Sequence, residues 1–334
     1  MSESKEASGT EKFKSKIGGQ AVIEGVMMRG IDKAAMANRL PTGEIDLEVW
    51  NIKGGKNVPW YRKCPLVRGV FNFVISMIDG YKCLTRSANK QMEYEEEEEP
   101  TRFEKWLDEK VGDKLMPVIS VISMVIGVLA AVFLFMMLPS WVSKGIEHFV
   151  PMPVIVKNII EGLLKIGIFV GYTALTALMK DIRRTYEYHG AEHKTIACFE
   201  HGAELTPENV RKYSRFHPRC GTSFIFLVLF ISIFVNTVFR LTWENVALRM
   251  LCKLALLPLV MGIAYELIRI AVKYDNPATK ILSAPGLWIQ RITTREPDEK
   301  EIECAVAALK AVIPEDEEKL HRQASETDTE TEIK

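Results

Sequence analysis

PVISVISMVIGVLAAVFLFMML, residues Pro117–Leu138, carries no charged side chain over 22 positions. At 1.5 Å per residue it makes about 33 Å of helix, enough to cross the hydrocarbon core of a bilayer. A helix at a water-facing surface would need a polar face, and this one has none. The stretch predicts a transmembrane helix. Thr222–Phe239 matches it, with no charge in 18 residues. Val154–Met179 and Val246–Ala271 are apolar but striped. The first carries Lys157, Glu161 and Lys165 at four-residue spacing, and the second has Arg249 and Lys253 near one end with Glu266 and Arg269 near the other. Charges inside a span face other helices or a wet cavity. The expected fold is an α-helical membrane protein: a four-span bundle, a small N-terminal α+β cytosolic region and a C-terminal amphipathic helix.

Basic residues orient that bundle. The connection 181–221 holds seven Lys or Arg, whereas 140–153 holds only Lys144. An excess of Lys and Arg marks the cytosolic side, which puts 181–221 and both termini there. Arg240, in the short 240–245 loop, runs mildly against this. Overall charge is balanced, 43 Lys plus Arg against 43 Asp plus Glu, so no global field draws the chain to nucleic acid. Six cysteines without regular spacing suit free thiols in a reducing compartment.

The chemistry-bearing motif lies in the basic connection. Tyr186–Thr195 reads YEYHGAEHKT, in which His189, Glu192 and His193 spell H-x-x-E-H. Residues four apart project from one face of a helix, so His189 and His193 can offer imidazoles to one ion. Glu192 lands beside them, where a general base would act on water. Gly190, inside the motif, costs a helix about 1 kcal/mol. Further on, His217 opens HPRCGTSF and Cys220 follows three residues later. Two metal sites are therefore possible. An open site uses His189, His193 and a third ligand from His217, Glu266 or Glu24, leaving Glu192 as base. A closed, structural site uses His189, His193, His217 and Cys220. In both, the expected cofactor is a divalent ion, Zn²⁺ by ligand type. Arg29, Arg68 or Arg219 are candidates to hold an anionic group of a substrate, and Glu24 is either paired, with Arg29 the nearest partner, or part of the site.

The flanks are simpler. Residues 1–16 lack an apolar core, are no secretory signal, and read as a disordered tail. In the N-terminal region, 17–92, IGGQAVIEGVMMRG suggests tight turns, 35–58 alternates like short strands, and 66–84 reads as an amphipathic or interfacial helix. An acidic linker, 93–116, contains five consecutive glutamates. Spans one and two occupy 117–179, the motif segment 180–221, and spans three and four 222–273. Thr206 and Pro207 mark a helix start, and Gly202 the end of the motif helix, with His201 as a cap. In the C-terminal segment, 274–314, APGLWIQRITTREP reads as turn-rich and interfacial, whereas Ile302, Ala305, Val306 and Leu309 mark an amphipathic helix. Residues 315–334 read as a disordered tail.

Four ordered blocks, GGQAVIEGVMMRG, YHGAEHKT, HPRCGTSF and APGLWIQRITTREP, together resemble the YqhQ-like family of bacterial membrane proteins, from about Gly18 to Ile313. The resemblance implies an inner-membrane protein with these spans, described as a metal-dependent enzyme, and brings no substrate with it. The function expected is a membrane-embedded hydrolase acting on a peptide or lipid at a cytosol-facing site. The alternatives are a scaffold with a structural zinc site, and a transporter using the charges of the second and fourth spans. Membrane lipids are the expected partners, and no oligomeric state is assigned.

Overall fold

A computed structural model of the chain describes residues 13–52, 59–94, 115–239, 246–274, 276–319 and 321. The chain divides into two compact units, one comprising 1–94, 173–228 and 258–334, the other 95–172 and 229–257.

The first unit is built on a four-stranded antiparallel meander: β1 (Gly18–Val22), β2 (Gly25–Arg29), β3 (Lys33–Arg39) and β4 (Ile45–Asn51). The glycine-rich block expected to hold tight turns is thus a hairpin. Ile23 and Glu24 form its two-residue loop, with Glu24 at φ 50°. Successive side chains on β2 point to opposite faces, and both faces are covered. Val26 and Met28 join a core with α5 (Lys180–Glu200) and α10 (Glu299–Lys310), while Met27 meets Cys83 of α1 (Val67–Met92). The result is three layers: α1, the sheet, and the α5–α10 pair. Ile302, Ala305, Val306 and Leu309, read as one face of an amphipathic helix, are the buried face of α10.

Among the described residues, three helices are long and apolar enough to cross a membrane: Val121–Phe149, Gly221–Val238 and Leu248–Ala271. The first comprises α2 (Leu115–Val132), one π turn at Phe133–Met137, and α3 (Leu138–Phe149). It runs past Leu138 into what the sequence suggested was a connection, because Pro139 sits at the start of a helical segment, where a proline is tolerated. After the short α6 (Pro207–Val210), α7 (Gly221–Val238) and α8 (Val246–Lys273) contain the other two. α4 (Val154–Thr176) carries the charge stripe.

Within the second unit those charges are paired. Glu161 accepts from Ser140 at 2.8 Å and from Lys253, Lys165 lies 3.8 Å away, and Lys157 pairs with Glu147. Outward, Val121, Ile126 and Leu129 are more than half exposed, the reverse of a water-soluble bundle.

Three expectations change. APGLWIQRITTREP is mostly helix: α9 (Pro277–Thr293) runs through Pro285 and Gly286, since Gly286 packs so closely on Ser223 that a Cβ would fall 2.5 Å from its Cβ. Residues 13–16, assigned to a tail, are held in place, with Phe13 edge-on to Phe199 and Ser15 buried. Part of the segment assigned to the C-terminal tail is held in place as well: Glu317 is buried, accepting from the Lys16 amide at 2.9 Å, and His321 stacks on Phe199. Nearly all of the acidic linker, and the loop 240–245, fall outside the described residues.

Candidate metal centre

α5 presents the motif as its spacing predicts. His189 and His193 lie one turn apart, edge to face, with ring centroids 4.4 Å from each other. Gly190, between them, is required by a crossing chain: the segment after α9 donates Arg295 N–H to Tyr186 O at 2.8 Å, and any Cβ on Gly190 would strike the Arg295 carbonyl. That close approach brings Thr293 O within 2.8 Å of His189 Nδ1. His193 Nδ1 likewise meets Arg215 O at 2.6 Å. A carbonyl can only accept, so both Nδ1 atoms carry protons, and in the neutral rings both Nε2 atoms are lone-pair donors.

Those nitrogens converge on one sulfur. Cys220 Sγ lies 3.2 Å from His189 Nε2, and the ligand atoms of His189, His193 and Cys220 all fall within 4.8 Å of one another. Burial opposes a Cys220 thiolate, but His189 and His193 pull its thiol well below the usual value. Burial likewise opposes the His189 cation, yet the Cys220 sulfur lifts it to about 9. Glu192 is buried beside them, and burial pushes its carboxyl above the ordinary carboxylate range. Its Oε1 lies against Gly19 of β1, and its Oε2 has no hydrogen-bond partner among the described residues.

His217 belongs to a neighbouring network. Its Nδ1 accepts from the Arg219 amide at 3.3 Å, and its Nε2 faces Glu200 Oε2 at 3.6 Å and Arg219 Nη2 at 3.4 Å. Burial holds its ring below the usual histidine value. Glu200 also accepts from Arg219, and from Ser15 N and Oγ at 2.7 Å each. Burial would raise its carboxyl, but His217, Arg219 and Ser15 hold it at about 2. Gln290 clamps the loop, accepting from His217 N at 2.8 Å and donating to His217 O at 2.7 Å.

The remaining candidates are spent elsewhere. Glu266 is gripped by Arg68, whose Nε lies 2.6 Å from Oε1. Glu24 pairs with Arg184 and accepts from Tyr188 Oη at 3.2 Å, so its partner is on α5 and is not Arg29. Arg29 pairs with Asp79. The structure therefore joins His189, His193, Cys220 and Glu192, and leaves His217, Arg219, Glu266, Glu24, Arg29 and Arg68 in ion pairs or hydrogen-bond networks of their own. Sequence reading missed Glu200 and Gln290. Each is a polar residue near a helix end whose partners lie far off in the chain.

The donor types in this cluster are of a kind that can hold a divalent ion. Metal-binding histidines characteristically give their second nitrogen to a carbonyl or carboxylate, as both do here. Two imidazoles and a thiolate suit a borderline ion such as Zn²⁺, and three protein ligands leave a coordination position open.

These features define a largely helical protein with a small antiparallel sheet, three helices apolar enough to cross a membrane, and a clustered His–His–Cys set. Residues 64–315 match the family described as "Protein of unknown function (DUF1385)", and the chain belongs to that family. It is 33% identical over 304 residues to the uncharacterized protein YqhQ of Bacillus subtilis (strain 168), an alignment covering 89% of this chain and 92% of that one. No solved structure matches the chain.

Proposed function

We propose that the chain is a four-span protein of the plasma (inner) membrane with a metal-dependent hydrolase site on its cytosolic face, acting on a peptide or lipid-like substrate. The observation that carries the chemistry is the tautomer lock: with both Nδ1 protons spent on Thr293 O and Arg215 O, it is Nε2 of each ring, on the side of Cys220, that offers a lone pair once the ring is neutral. His189, His193 and Cys220 would hold the ion. A Zn²⁺ ion bound by three protein ligands supplies Lewis acidity that brings the pKa of water near 7. Glu192 then serves as the proton acceptor, through an Oε2 that no other group occupies.

A structural site of four ligands is less well supported, since His217 lies outside the cluster of His189, His193 and Cys220 and its Nδ1 accepts from the Arg219 amide. The transport reading has only the paired charges of α4 and α8 behind it.

The membrane reading is supported by parity. β2, β3, α5 and α10 share one core, so they lie on one side of any bilayer. The chain must then cross an even number of times between β4 and α5. The apolar helix Val121–Phe149 crosses once, which makes α4 the return span despite its charges. The seven basic residues of 181–221 favour the cytosol for that side.

Metal analysis of the purified protein tests the site. About one equivalent of zinc is expected, lost in His193→Ala and Cys220→Ser and kept in Glu192→Gln. Full protein carrying no metal would sink the proposal, and metal lost from Glu192→Gln would make Glu192 a ligand.

A further inference from the structure

We infer that α1 is a membrane-interface helix, with Val67, Phe71, Val74, Ile78 and Tyr81 seated in phospholipid at the boundary of headgroups and acyl chains. These five residues recur at helical spacing along four turns of one face, and each is at least 41% exposed. From 67 to 81 the only charges are Arg68 and Asp79, and both are engaged in ion pairs, with Glu266 and Arg29. After Tyr81 the outward positions are mostly polar, Lys82, Thr85, Arg86 and Asn89, with Leu84 the apolar exception. Just before the helix, Trp60 is 77% exposed and Tyr61 is exposed as well. Aromatic residues of this kind concentrate at membrane–water interfaces.

What covers the apolar face is decided by what its other side touches. Gly69 packs against Gly262 and Tyr265 of α8, where a Cβ would fall 2.6 Å from Tyr265 Cβ, and Asn72 donates to Tyr265 Oη at 2.8 Å. Phe73 packs tilted against Phe224 of α7 with centroids 5.4 Å apart. Phe224 is the fourth residue of one candidate span, and Gly262 lies nine residues before the end of another. At 1.5 Å per residue these contacts sit about 5 and 14 Å inside the ends of the two spans. α1 therefore starts at the depth of lipid, at the end where α7 follows Cys220, and its apolar face continues the lipid-facing surface of the spans. Its inner side is tied to the sheet, with Gln20 donating to Gly80 O at 3.2 Å and Lys90 bridging Asp46 and Glu48. β1, which bears Gly19 against Glu192, is thus fastened to a helix in contact with lipid. The inference rests on the membrane reading and is independent of the metal.

The test places the photoreactive residue p-benzoylphenylalanine at Phe71, Val74 or Ile78 of the full chain in native membranes, with Thr85 and Asn89 as the polar comparison. Ile126, exposed on α2, reports on the spans themselves. After irradiation, phospholipid adducts at 71, 74 and 78 should approach the level at 126 and exceed those at 85 and 89 about tenfold. Adducts at 126 with none on α1, or cross-links from α1 to a second copy or another protein, overturn the inference and leave the spans standing. Absence of adducts at 126 as well overturns the membrane reading beneath it.

Discussion

Gly190 shows two opposed effects of one residue. Alanine there would gain roughly 1 kcal/mol of helix propensity. Its methyl would also strike the Arg295 carbonyl, which is backbone and cannot turn aside. Overpacking of this kind costs about 1–3 kcal/mol, so the clash wins. Gly190→Ala should unfold at lower denaturant and, by displacing Thr293 O from His189, bind zinc about tenfold more weakly. Unchanged zinc affinity would detach the crossing segment from the site. Glu301 makes a different prediction. It is 1% exposed at the start of α10, where it accepts from Asp298 N at 2.9 Å, and burial lifts its carboxyl from 4.5 to about 7. Below about pH 4.5 it is protonated whether the chain is folded or not. Between 4.5 and 7 the folded chain retains a proton that the unfolded chain has released, so stability falls as pH rises, and above 7 the penalty is constant. Glu301→Gln keeps a capping oxygen and removes the charge. It should be the more stable form at pH 8, by up to about 3 kcal/mol, and no more stable at pH 4. Equal differences at the two pH values, read by denaturant unfolding, would discount the buried charge.

At the scale of elements, the charge stripe on α4 was legible because Lys157, Glu161 and Lys165 recur every four residues, a purely local pattern. Its meaning was not, because Ser140 and Lys253 complete it from other helices. Glu161 is the one carboxylate between Lys165 and Lys253 among the described residues. Glu161→Gln should therefore cost about 3–5 kcal/mol, the usual toll of a buried ion left without its counter-charge. Lys253→Met leaves Lys165 and Ser140 on Glu161 and should cost clearly less. Thermal unfolding in detergent separates the two, and an equal loss would mean that Lys165 contributes nothing. α9 teaches the converse lesson. Pro285-Gly286 is a turn signal in sequence, yet the helix continues because Ser223 packs onto Gly286. A contact between residues more than sixty apart overrode the local rule.

For the whole molecule, the distance in sequence between partners separates what could be read from what could not. His189 and His193 are one turn apart and Cys220 lies in the same basic connection, so their convergence could be anticipated. Glu200 finds Ser15 across 185 residues, and Gln290 finds His217 across 73, which no periodicity reveals. The long-range packing in turn constrains the membrane topology. On the membrane reading proposed above, the core shared by the N-terminal sheet and the C-terminal α10 requires both elements to lie on one side of the bilayer. Three crossings would part them, and four keep them together. A reporter that fluoresces only in the cytosol should therefore glow when fused after Lys334 and also when fused before Met1. A phosphatase active only outside should work when inserted at 150–153, between α3 and α4. A dark C-terminal fusion paired with a bright N-terminal one would mean that α4 does not cross. The sheet and α10 could not then pack as they do, and the shared core would have to be abandoned along with the fourth span.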